Sequence, residues 1–342
     1  MHALLLSTLL ALGQPPAAPA PLPPIDESRL SATIRSLPAQ RSPGPTDEHI
    51  AGLKQAEELL LAHAKRLGFE PTTQTIRWSR RDQPKHEWRN ILFELTGSEK
   101  PSEVIIVAAH FDAVPDSPGA DDNASGVAGL LEIARVLKAR AAAGAGAAGS
   151  FPKRTIRFAL FNLEEVGLVG ASQYAPLVAE RVEAGDDTVV GMLSLEMLGY
   201  YSDKPESQQN PFAALKGFTL PDTGDFIAIA TTLAHRPFVR ALEKHMAAAV
   251  PEAKALVFDL LPIAPPDLLR SDHAPFLLYG IPAAMVTDTA NFRNPHYHQP
   301  SDTLETLDRP RFARTVAALA AGIAGLADEG IPAPGAAAPQ KK

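Results

Sequence analysis

The chain has 342 residues, 45% of them hydrophobic, a formal net charge of −7 and no cysteine. That is enough apolar chain for one large core or two modest ones. The acidic balance speaks against a nucleic-acid partner. The lack of cysteine excludes disulfides, a thiol nucleophile and thiolate metal ligands, so any metal must be held by nitrogen and oxygen.

The first residues, MHALLLSTLLALG, are apolar but too few to span a bilayer. They resemble the apolar region of a signal peptide, with a Pro/Ala-rich linker behind it. Residues 1–24 are therefore read as a signal-like segment and linker. The expected location is periplasmic or secreted, with no stable membrane insertion of the mature chain. Residues 25–327 read as a single domain and 328–342 as a disordered tail. Within the domain, Leu53, Ala56, Leu60, Ala64 and Leu67 fall on one face of a helix over 50–67. Strands are expected over 72–78 and 90–96, with a polar turn between them. The run over 104–109 is continuously apolar, as in a strand buried on both faces. Val127, Leu130, Leu131, Ala134 and Leu137 mark a helix over 126–140, and AAAGAGAAGS after it reads as a surface loop. Further strands are expected over 155–162, 188–195, 226–230, 257–260 and 283–286, with helices over 236–249 and 311–326. This alternation predicts an α/β fold: a mostly parallel, mixed central sheet with helices on both faces.

Ligands of open α/β sheets bind at the carboxyl ends of the strands. Four acidic or histidine-bearing clusters lie at such ends or just before a helix: His110-Phe-Asp112, Asp121-Asp122-Asn123, Glu164-Glu165 and Glu196. A fifth, His296-Tyr297-His298, lies downstream between Pro295 and Pro300, which stiffen its loop. Each cluster alone has an ordinary reading as a surface pair, a helix cap or a solvated turn. Together they offer more imidazole and carboxylate groups than one tetrahedral ion needs, which suggests two metals sharing a carboxylate. Asp112 could fix the ring of His110. The paired Glu164 and Glu165 could divide into a ligand and an unligated general base.

The segments AAHFDAVPDSPGADDNASGVAGLLE, LFNLEEVGLVGASQYA, LSLEMLGY, RSDHAPF and YHQPSDT occur in this order between about Arg89 and Asp308. They resemble the co-catalytic di-zinc aminopeptidases, whose relatives include glutamate carboxypeptidases and glutaminyl cyclases. The resemblance implies a zinc-exopeptidase fold, two Zn²⁺ per chain and peptide substrates. It implies that His110 and Glu196 hold one ion and Glu165 and His298 the other, with Asp122 bridging them. Many relatives have Asp where this chain has Glu196. Glu164 matches the general base that acts on a zinc-activated water, Asp112 a supporting carboxylate, and Tyr297 a residue that helps polarise the scissile carbonyl. Arg270, Asp272, His273 and Tyr200 are expected near the substrate, with Gly199–Tyr201, Arg270 and the 292–297 loop as walls of the cleft. The bond after Asp122 is expected to be cis. The implied activity is release of N-terminal amino acids. The alternatives are a mono-zinc acyl transferase like the glutaminyl cyclases, which carry Trp where this chain has Tyr297, and a carboxypeptidase or dipeptidase of the same family. A non-catalytic binding module on this fold should have lost ligands, and none is lost here.

Overall fold

A computed structural model describes residues 21–79, 86–144, 150–210, 221–259 and 266–331. Residues 1–20 of the signal-like segment, 332–342 of the tail, 145–149 of the low-complexity loop and Leu260 lie outside the described residues.

The strands are β1 (Thr72–Ile76), β2 (Trp88–Leu95), β3 (Lys100–His110), β4 (Arg154–Phe161), β5 (Thr188–Glu196), β6 (Ile227–Ala230), β7 (Ala255–Phe258) and β8 (Ala283–Thr287). They form one sheet in the order β1-β2-β4-β3-β5-β8-β6-β7. The centre, from β4 through β3 and β5 to β8, is parallel. β1, β2 and β4 pair antiparallel at one side, and β6 runs antiparallel to β8 at the other. The helices are α1 (Glu27–Ser36), α2 (Asp47–Arg66), α3 (Gly126–Ala143), α4 (Val169–Glu183), α5 (Arg236–Ala249), α6 (Ala274–Leu278) and α7 (Arg309–Glu329).

The apolar run in β3 shows why the sheet is covered on both faces. Ile105, Val107 and Ala109 join one core with α1, α2, α3, α5 and α7. Val104, Ile106 and Ala108 join a second core with α4 and Phe276 of α6. Successive strand side chains point to opposite faces, so a strand apolar at every position must be buried twice.

Three helices were absent from the sequence reading, one of them the five-residue α6, which is too short to show a periodicity. In α1 the apolar stripe is only Leu30, Ile34 and its neighbours, capped by the Asp26 carboxylate on the Ser28 N–H. In α4, Ala171, Tyr174, Ala175 and Val178 have helical spacing, but Pro176 lies inside the helix. Proline removes one backbone donor, which makes such a stretch read as broken. The closing helix runs two residues further at its start and three further at its end than the expected 311–326, because Asp308 caps it through the Arg311 N–H and Pro310 fits its first turn. Among the described residues, no helix is long and apolar enough to cross a membrane.

Candidate metal centre

The parallel strands β4, β3 and β5 lie side by side and deliver their carboxyl ends to one spot. His110 is the last residue of β3 and Glu196 the last of β5, while Glu164 and Glu165 follow β4. Asp122 arrives on the turn between β3 and α3, and His298 on the loop beyond β8. Left-handed residues re-aim the chain at three of these points: Leu163 (φ 62°), Met197 (φ 52°) and His298 itself (φ 59°). Such conformations gather at sites that need a side chain turned in one direction.

The side chains converge. His110 Nε2 lies 3.3 Å from Glu196 Oε1, 3.5 Å from Asp122 Oδ1 and 4.0 Å from Glu164 Oε2. His298 Nε2 lies 3.1 Å from Asp122 Oδ2 and 3.3 Å from Glu165 Oε2. Thus the two oxygens of one carboxylate face two different imidazoles. Three overlapping groups, His110–Asp122–Glu196, His110–Glu164–Glu165 and Asp122–Glu165–His298, each present ligand atoms within 4.8 Å of one another.

Each of these side chains is held from behind. Asp112 accepts the N–H groups of Glu164 (3.0 Å) and Glu165 (3.1 Å), so its carboxylate anchors the acidic turn. The His110 ring meets the Asp112 backbone carbonyl at 3.2 Å and its carboxylate at 3.5 Å. Asp302 accepts the N–H groups of both Asp121 and Asp122. Asn123 donates to the Leu195 carbonyl and accepts from the Met197 N–H, pinning the Asp122 turn to the end of β5. The Asp122–Asn123 peptide bond is cis. Gly119 opens this turn with φ 57°, and a Cβ there would come within 2.2 Å of the Asp122 carbonyl. Ser271 donates to Glu196 Oε2 at 2.7 Å. Arg41, fully buried, donates to the carbonyls of Phe111, Pro118 and Gly119, tying the end of β3 to the loop that carries Asp122. Asp302, Ser271 and Arg41 were missed from sequence, and Asn123 was named there only as a member of its cluster. For Asp302 the signal was the YHQPSDT segment, whereas nothing near Arg41 distinguishes it from a surface arginine.

The residues expected on the substrate side differ in their placement. Arg270 lines the cleft beside this cluster, with Phe292 and Tyr297. Tyr200 does not: its N–H binds Asp288 and its ring lies against His296. Gly199 and Tyr201 are likewise absent from the lining. Asp272 and His273 are buried behind the cleft surface. His273 binds the Leu268 carbonyl and is held down to about 4 by burial, so it is neutral. Asp272 has no hydrogen-bond partner on either oxygen, and burial pushes it well above the carboxylate range. The resemblance of the RSDHAPF segment to the cyclase branch already suggests that Asp272 stands behind the metal ligands, whereas nothing in it marks the inward direction of His273.

The electrostatics fit a site built for cations. Burial and the neighbouring Asp122 push Glu165 up to about 7. Burial and nearby carboxylates raise Glu164 well above its usual range, against the pull of His110. Burial opposes Asp122 ionisation, but His110 and His298 hold it below its ordinary value. His298 Nε2 has no aligned hydrogen bond despite its close carboxylates, and Glu165 Oε1 has no hydrogen-bond partner. Buried polar atoms are rarely left unsatisfied, and a divalent ion would satisfy both. Burial acts to lower His298, yet the two carboxylates raise it to about 10, so in the metal-free protein it carries a proton at neutral pH. A metal must displace that proton. Zinc affinity is therefore expected to rise with pH between 6 and 8, by about tenfold per pH unit for each proton displaced. Calorimetry in buffers of different ionisation enthalpy should register proton release. An affinity flat across this range, with no release, would contradict the arrangement.

A mixed sheet bearing a histidine-carboxylate cluster at its strand ends has the donor set of a metal centre. The chain belongs to peptidase family M28, whose model matches residues 90–323. It is accordingly a hydrolase of a peptidase family. YfbL of Escherichia coli is 33% identical over 238 residues, which is 67% of this chain and 68% of YfbL. Aminopeptidase YwaD of Bacillus subtilis is 29% identical over 232 residues, 64% of this chain but only 41% of YwaD. The crystal structure of Fimbriiglobus ruber glutaminyl cyclase has a TM-score of 0.64 over 92% of this chain and 99% of that one. Its 18% identity makes this a likeness of fold alone.

Proposed function

We propose that the protein is an aminopeptidase that removes N-terminal residues from peptides and holds two zinc ions. The observation that carries this reading is the division of the Asp122 carboxylate between His110 and His298. His110 and Glu196 would hold one ion, Glu165 and His298 the other, and Asp122 both. When bound, zinc polarises a carbonyl oxygen and lowers the pKa of a water.

Glu164 is the base. It lines the cleft, its N–H is fixed by Asp112, and burial raises its proton affinity toward what a base needs at neutral pH. It takes a proton from the attacking water and then delivers it to the leaving amine. Tyr297 keeps its own proton, because burial and Asp122 raise its pKa. Arg270 donates to the Tyr297 oxygen at 3.0 Å, which leaves the phenolic proton free for the oxyanion that develops on the scissile carbonyl. The acidic side chains around the cleft favour a cationic α-amino group over a neutral amide. The apolar first residues support export of the chain, which cell fractionation would test.

The test is a panel of aminoacyl anilides and their N-acetyl counterparts, with and without zinc. N-acetylation should lower kcat/KM by about 100-fold or more, as expected where a site loses a charged contact it was built for. A chelator should abolish activity and zinc restore it, and serine-directed reagents should have no effect. Equal rates on blocked and free substrates, or cleavage of internal bonds, would overturn the assignment. Zinc content separates it from a cyclase: two ions per chain here, one there.

A further inference from the structure

We propose that Arg41 is a positioning residue for the metal centre. Its guanidinium fixes the spacing of His110 and Asp122, and through it the segment between α1 and α2 becomes part of the site. The inference rests on the reading of His110 and Asp122 as metal ligands and deepens it. Arg41 lies upstream of residues 90–323, which the family model matches, and it does not line the cleft. It acts only through other groups.

Arg41 is 1% exposed, yet all its hydrogen bonds go to backbone carbonyls. An arginine buried this deeply normally has a carboxylate at hydrogen-bond distance. Here the charge is balanced from further off. Burial lowers the Arg41 pKa, and Asp302, Asp112, Asp122 and Glu165 act in the opposite direction. Two of these are ligands in the proposed centre, and the other two hold its turns from behind. The guanidinium is thus matched to the centre as a whole and to no single oxygen of it.

Its bonds fall on both sides of the ligand pair. Nε donates to the carbonyl of Phe111, the residue after His110, at 2.8 Å. Nη2 donates to the Gly119 carbonyl at 2.6 Å. That carbonyl also accepts the Ala124 N–H at 3.1 Å, so it brackets the turn that carries Asp122. Nη1 donates to the Pro118 carbonyl and, within its own segment, to the Pro38 carbonyl. A guanidinium is a planar fork with fixed angles between its N–H groups, so it sets the distance between the carbonyls it holds. The segment grips the intervening loop as well. The Arg41 carbonyl accepts the Ala113 N–H at 3.0 Å, and Gln40 Oε1 accepts the Asp116 N–H at 3.2 Å. The same loop reaches the second imidazole, because Ser117 Oγ donates to the carbonyl of Gln299, next to His298, at 3.1 Å.

Lysine keeps the charge at position 41 but lacks the fork. In the full chain, Arg41→Lys should lower zinc affinity by about tenfold or more, read by competition with a chromogenic chelator. It should also alter the visible spectrum of the cobalt(II)-loaded protein, which reports ligand geometry. On an aminoacyl anilide, kcat should fall by about tenfold while KM stays within about twofold, since Arg41 does not reach the cleft. Arg154→Lys is the control. Arg154 is also buried and binds Glu103 and the Ala327 and Asp328 carbonyls, at the first residue of β4, the opposite end of that strand from Glu164. It should lower the melting temperature and leave zinc affinity and the cobalt spectrum unchanged. An Arg41→Lys protein that behaves like this control overturns the proposal. If Arg41→Lys does not fold, the unaltered protein decides. Coupling is reciprocal, so zinc must tighten the segment if the segment tightens the zinc site. Amide hydrogen exchange over 38–46 and 111–119, which contain no ligand, should slow by about tenfold or more on zinc addition. Unchanged exchange there overturns the proposal. Uptake of a single zinc by the unaltered chain overturns the two-ion reading alone, because Arg41→Lys must still weaken that ion. Uptake of none overturns both.

Discussion

Glu164→Gln should lower kcat by about 10²- to 10⁴-fold, the usual worth of a positioned base, while zinc per chain stays at the level of the unaltered protein. Glu165→Gln should lose zinc as well as activity. The two residues are adjacent in sequence and their N–H groups share one anchor, the Asp112 carboxylate. Their side chains nevertheless part. Glu165 Oε2 lies 3.3 Å from His298 Nε2, inside a ligand group with Asp122. Glu164 comes no closer than 4.0 Å to His110 Nε2, which has Glu196 and Asp122 as nearer carboxylates. Gln keeps the size of Glu and one of its oxygens but cannot take the proton. Zinc analysis of both purified variants beside single-turnover rates checks the division. Equal zinc loss in the two would merge their roles.

The same anchoring explains what the sequence could show. The core strands were legible because burial on both faces forces a continuously apolar run, as in Val104 to Ala109. The placement of His110 and Glu196 followed, since a parallel strand presents its last residue to the ligand-binding edge. Elements whose stability comes from tertiary contact were harder to read. α4 keeps Pro176 because Tyr174 and Val178 are buried against Phe161, Phe276 and the second face of the sheet. The antiparallel turn of β6 against β8 leaves no mark in a four-residue strand, yet it builds the floor of the cleft. Charged residues showed the same limit. Arg41 and Asp302 act through backbone groups far along the chain, and such partners have no local spacing rule. Tyr200 and Asp272 lie within motif segments, but their side-chain directions depend on packing against Asp288, His296 and the buried side of Glu196.

Asp122→Asn should remove more metal than any other single change at the site. The Asp122 carboxylate faces both imidazoles, so the substitution weakens two ligand groups at once, while His298→Ala touches only one. Asn retains the shape of Asp, and the Asp122 N–H still binds Asp302, so the turn keeps its anchor. What is lost is the charge that holds two dications near each other. Activity should fall by at least about 10³-fold, since the Lewis acidity of a metal is worth several kcal/mol of barrier. The fold offers a second readout. Zinc that binds only the native state raises the melting temperature of the unaltered protein, through mass action. In Asp122→Asn that rise should be absent or greatly reduced, and in His298→Ala it should be partial. The metal-free variant loses the counter-charge to His110 and His298, so its melting temperature without zinc should lie below that of the unaltered protein, and the zinc-induced rise is read from each protein's own metal-free value. A full zinc-induced shift in Asp122→Asn would mean that His110 and His298 bind their ions independently, and the shared-carboxylate arrangement would be wrong.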